Sequence, residues 1–163
     1  QFATAVGTLS LSCIGALRPA IQSSYQRKEL REIRAIVGRG SVFYLLCYAF
    51  CTIVVFAGVY PLLPLLRPGS LFDPWVYGAV ALYMFLFDWH SLFASVLASF
   101  NRIPYMWAYV ISSLAGLLCA LISVLFFNWG VWGLIGGLAL PQLLYNNWKW
   151  PLAVARHLET TEY

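Results

Sequence analysis

The sequence predicts an all-α fold, a polytopic bundle of transmembrane helices, and three observations lead there. Hydrophobic residues make up 61% of the chain and charged residues only 10%, against roughly half and about a quarter in soluble domains. A 163-residue soluble domain has no means of hiding that much apolar surface. The apolar residues fall in continuous runs and do not alternate, which excludes a β-barrel. Lys and Arg collect at one set of run ends, as in a chain that threads back and forth across a bilayer.

The first run, residues 2–17, is slightly short of the ~20 residues that a helix needs to cross. Basic residues follow it and do not precede it, so it lacks the layout of a signal peptide. It is expected to be a partial N-terminal span, and the chain to be the C-terminal part of a longer protein. Residues 18–40 then carry the pattern of a short amphipathic helix on the cytoplasmic membrane surface. Ser23 and Gln26 have capping-box spacing, and Leu30, Ile33 and Val37 recur at i, i+3 and i+7. Arg27, Lys28, Glu29, Arg31, Glu32 and Arg34 occupy the opposite face. Such a helix serves as a topology anchor, or as a docking surface for anionic lipid head groups or a partner.

Four complete spans follow, at about 41–66, 75–100, 105–127 and 130–148, each within the ~17–25 residues that a crossing helix uses. One side of this arrangement collects Arg18, Arg27, Lys28, Arg31, Arg34, Arg39, Arg102, Lys149 and Arg156, and the other collects Arg67 alone. The positive-inside rule therefore places the 18–40 segment, the 101–104 turn and the C-terminus in the cytoplasm. Trp75, Trp107, Trp129, Trp132, Trp148 and Trp150 sit near predicted span ends, where indole favours the interface. Trp89 alone falls in mid-span.

Trp89 lies between Asp88 and His90 in "FLFDWHSLF", and this stretch poses the functional question. Asp88 is near the middle of its span, where an ionised carboxylate costs roughly 2.5–3.5 kcal/mol on insertion scales. At 100° per residue, Asp88, Ser91, Ser95, Ser99 and Arg102 share one face and form a polar stripe toward the cytoplasmic end. The stripe is either a cavity-lining face or a surface of small residues for close helix contact. His90 is displaced about 200° from Asp88, so the two form neither a metal clasp nor a proton dyad, and His90 is expected to act in packing. In the last span, Gly133 and Gly137 have small-xxx-small spacing, with Gly136 beside them. Pro141 should kink that helix. Gln142, Asn146 and Asn147 follow the kink, and the segment reads either as a packing seam or as a hinge with polar groups facing a transport path.

No residue set points to catalysis or to a cofactor. The chain has no HExxH motif, no paired carboxylates and no glycine-rich phosphate loop. Cys47 and Cys51 share a helix face but lack a third ligand, and all four cysteines fall in apolar runs, so no metal site is expected. No nucleic-acid partner is expected either; membrane lipids are.

Three stretches resemble polysaccharide flippases, the O-antigen exporter branch of the multidrug/oligosaccharidyl-lipid/polysaccharide exporter superfamily. They are the ending "LPQLLYNNWKWPLAVARHL", the segment "LRPAIQSSYQRKELREI", and "HSLFASVLASFNRIPYMW" with its tight Asn-Arg-x-Pro turn. The resemblance implies a transporter of twelve helices in two lobes with alternating access, of which these would be the last five. It also implies export of a lipid-linked oligosaccharide for cell-surface polysaccharide across the inner membrane without hydrolysis. A coupling cation, H+ or Na+, is an expected partner, and Asp88, by its depth and its place at the head of the stripe, is expected to interact with a cation, a proton or a polar substrate group. A drug or other solute exporter of the same superfamily is the nearest alternative, because a fold does not fix its substrate. A membrane-embedded glycosyl or acyl transferase and a small structural subunit are the more distant ones.

Overall fold

The structure, a computed structural model, describes residues 2–66, 73–101 and 105–160, and every regular element in them is helical. The elements are α1 (Phe2–Gly15), α2 (Arg18–Gln26), α3 (Leu30–Val54), α4 (Tyr60–Leu66), α5 (Pro74–Ser99), α6 (Tyr105–Leu125), α7 (Gly130–Pro141) and α8 (Asn147–Thr160). Single π-helical turns, Val55–Val59 and Gln142–Asn146, join α3 to α4 and α7 to α8. Three helical stretches are long and apolar enough to cross a membrane: Leu30–Leu62, Pro74–Ser99 and Tyr105–Leu125.

The π turns have a local cause. Proline has no N–H to give to the carbonyl four residues back, and each turn lies beside one. Pro61 follows the first, where the Tyr60 N–H reaches back five residues to the Val55 carbonyl. Pro141 precedes the second, where the Asn147 N–H bonds the Gln142 carbonyl. The expected 130–148 span is therefore the first part of a longer helical rod, widened at residues 142–146 and running on to Thr160. The α5 helix begins where the sequence signals it, because Asp73 Oδ1 accepts the Trp75 and Val76 N–H groups at 2.8 and 3.3 Å and Pro74 opens the first turn.

The amphipathic segment departs from expectation. No separate surface helix covers residues 27–37: α2 ends at Gln26, Lys28 adopts a left-handed φ of 60°, and Leu30–Val37 forms the first turns of α3. Ser23 lies within α2 and its hydroxyl donates to the Ala20 carbonyl, so the capping box does not form. Leu30, Ile33 and Ile36 are buried in the protein core and do not lie on a membrane surface. The reason is continuity, since nothing between Leu30 and Val54 breaks a helix and the apolar face finds protein to pack against. The polar face carries Arg27, which pairs with Glu29 and Glu32 at 3.0 and 3.1 Å while Ser24 donates to Glu32.

The helices assemble around α5, which packs against α1, α3, α7 and α8. Half of its apolar stretch is buried, against 17% for each of the other two long apolar helices. The Tyr48 hydroxyl ties α3 to α5 by donating to the Ala81 carbonyl at 2.6 Å. Tyr44, Phe85, Trp89 and Phe93 continue that contact as a chain of rings, which accounts for the mid-helix position of Trp89. Trp75, Trp107, Trp129, Trp132 and Trp148 are exposed, whereas Trp150 is 3% exposed and belongs to the core, not to an interfacial belt.

Candidate functional site

Asp88 sits in the middle of the central helix and is 4% exposed. It lies under α1, where Gly7 leaves the room it needs. A Cβ at Gly7 would fall on Asp88 Oδ2, so a larger residue there would have to push the carboxyl group aside. Oδ2 has no hydrogen-bond partner among the described residues. A buried carboxylate oxygen left unbonded is costly, because it has surrendered water without gaining a hydrogen bond in return.

The remaining stripe follows the same helix downward but meets different neighbours. Ser91 and Ser95 line a cavity of about 450 Å³ between α5 and α6, into which Arg18 at the start of α2 and Trp150 of α8 also reach. Ser91 donates to the Phe87 carbonyl at 2.8 Å and Ser95 to the Leu92 carbonyl at 2.7 Å, so both hydroxyl protons are spent on their own helix. Ser99 does the same with the Ser95 carbonyl and is not part of the cavity wall. Arg102, expected to complete the stripe, lies outside the described residues. His90, expected on a different face, lines the same cavity from α5 beside Ser91, buried and edge-on to Phe87, with Tyr109 near it. The stripe thus begins beneath α1 and then becomes one edge of a cavity that Asp88 does not line.

The last helix supplies a second polar centre. Asn146 is 0% exposed, and its amide nitrogen donates to Ser112 Oγ at 2.9 Å and to Gln142 Oε1 at 3.0 Å. Its oxygen accepts the Trp150 indole N–H at 3.1 Å. These bonds cross from the π turn to α6 and fix the Trp150 ring against the cavity. Gln142 and Asn146 accordingly bond to protein groups in the interior and do not line that cavity. Sequence reasoning found Gln142 and Asn146 but not Ser112 or Trp150 as their partners, because the pairing depends on how α6 and the last rod are registered. That register is set by a close seam: a Cβ at Gly137 would lie 2.8 Å from the Cys119 carbonyl carbon, and one at Gly133 would lie 2.9 Å from Ser123 Cβ. Gly136 is different, with nothing within 4 Å of an added Cβ.

Near the Arg-rich end, Tyr25, Phe100 and His157 stack together, and Arg34 donates to the Leu158 carbonyl at 3.0 Å. Lys149 lies over the Tyr145 ring and contacts its hydroxyl. Among the described residues no group of three His, Cys, Asp or Glu side chains is placed to hold a metal ion. Compared with known protein families, with curated proteins and with solved structures, the chain matches none.

Proposed function

We propose that this chain is the C-terminal part of an inner-membrane flippase that exports a lipid-linked oligosaccharide for cell-surface polysaccharide by alternating access. The observation that carries the reading is Asp88. A buried carboxyl group with one unbonded oxygen, halfway along the most buried of the long apolar helices, is disfavoured energetically, and such groups in membrane proteins mark ion and substrate pathways. The local resemblance to polysaccharide flippases supplies the substrate class. In this reading Asp88 takes up the coupling cation, H+ or Na+, and the Gly7 notch allows α1 to close over it or withdraw. The π turn beside Pro141 gives the last rod a place to bend, since π turns and prolines are where helices kink. The Arg-rich end, with the C-terminus, faces the cytoplasm.

The experiment is complementation in cells that lack their own exporter. Asp88→Asn in the full-length protein should abolish surface polysaccharide while its membrane level stays within about twofold of the parent. His90→Ala, which removes ring packing against Phe87 and Tyr109, should chiefly lower the membrane level. Normal export by Asp88→Asn over a range of pH and sodium concentrations would reduce Asp88 to a packing residue.

A further inference from the structure

The cavity between α5 and α6 is chemically unlike the Asp88 pocket. Its rim on α6 consists of Met106 and Val110, which are 54% and 42% exposed, so it opens through apolar side chains. Phe87, Ala94, Ala98 and Tyr109 make up much of the wall. The serines on that wall have already given their protons to backbone carbonyls and offer little to a sugar hydroxyl. Arg18 is the one Arg or Lys among the lining residues, His90 lines the cavity as well, and no carboxylate is among them. The combination is a largely apolar slot with an apolar rim and one arginine among its lining residues.

We propose that this cavity is a binding site for one anionic phospholipid of the bilayer, with an acyl chain in the slot and the phosphate at Arg18. An acyl chain suits a wall made largely of apolar side chains and of serines already bonded to their own helix, and a guanidinium recognises a phosphate through paired N–H groups. Basic pockets between membrane helices at the cytoplasmic side are where acidic head groups bind. Met106 and Val110 stand exposed on a helix long and apolar enough to cross a membrane, a face from which a bilayer lipid could enter. The site does not depend on the transport reading and survives its failure, since it needs only the cavity and a bilayer.

The test uses the full-length protein purified from nanodiscs of equal phosphatidylglycerol and phosphatidylcholine, with retained lipid counted by native mass spectrometry. Phosphatidylglycerol should be retained over phosphatidylcholine in a ratio of about five to one, the preference that one nearby charge supplies. Arg18→Gln should bring that ratio to the bulk value. Ala98→Phe, which puts a ring into the slot, should remove retained lipid of either head group. Met106→Trp at the exposed rim provides a second obstruction that spares the core. Arg31→Gln, an exposed charge near the same end but outside the cavity, should change nothing. The proposal is overturned if phosphatidylcholine is retained equally, if Arg31→Gln acts as strongly as Arg18→Gln, or if both obstructing variants still hold lipid. Displacement of the lipid by millimolar inorganic phosphate would overturn it too, because the chain would then contribute nothing.

Discussion

Replacing Gly137 with alanine adds one methyl group to the α6–α7 seam, and the structure says where it goes. The added Cβ would stand 2.5 Å from Ala120 Cα and 2.8 Å from the Cys119 carbonyl carbon. Carbon atoms rest comfortably at about 3.5–4.0 Å, so the two helices must part by roughly 1 Å along this contact. Backbone atoms do the blocking, and no side-chain rotation relieves it. Overpacking of this kind costs about 1–3 kcal/mol, and the small gain in helix propensity from glycine to alanine, at most about 1 kcal/mol, offsets only part of it. Gly136→Ala is the matched control, one residue away on the same helix, with the same propensity gain and open space around the new methyl. Thermal unfolding of the two purified variants in one detergent should show Gly137→Ala clearly below the parent and Gly136→Ala at or above it. Equal melting temperatures would refute the claim that these helices meet through backbone at Gly137.

Gly7→Ala should destabilise by about 1–3 kcal/mol because its methyl falls on the Asp88 carboxylate. Adding Asp88→Ala to it should restore most of the loss in the same unfolding assay, and a purely additive double variant would contradict their contact. Asn146→Ala strands the Trp150 indole N–H and the groups around it, which should cost about 1–3 kcal/mol, with Ser112→Ala costing less; equal effects would mean the network is not centred on Asn146. Cysteines at Gln22 and Phe127, both exposed, should label from opposite sides of the membrane with an impermeant thiol reagent in a background lacking the native cysteines. Labelling from one side alone would overturn the assigned orientation.

Much of this architecture is written in the sequence. Continuous apolar runs, together with Asp73 and Pro74, mark α5 almost to the residue, because capping and length act locally. The glycines of the last helix signal a close approach in the same local way. The break near Lys28 leaves no such mark, since a lysine at positive φ carries none of the signal that glycine would, and the amphipathic turns that follow it have the pattern of a separate helix. The polar stripe shows the complementary limit. Helical periodicity places Asp88, Ser91, Ser95 and Ser99 on one side of α5, but it cannot say that α1 covers the first and that Arg18 and Trp150 stand across from the next two. Tertiary contacts alone turn one face into two environments. Gln142 and Asn146 were visible as polar residues in an apolar helix, but their inward hydrogen bonds depend on the seam with α6 and on Ser112.

Purified full-length protein in sealed vesicles, loaded on one leaflet with a fluorescent lipid-linked oligosaccharide, tests the central claim most directly. Quenching by an impermeant reagent reports arrival in the other leaflet. The account predicts protein-dependent transfer, accelerated by an imposed proton or sodium gradient and lost in Asp88→Asn despite equal incorporation. Transfer no faster than in protein-free vesicles, or transfer unchanged by Asp88→Asn under every gradient, would contradict it.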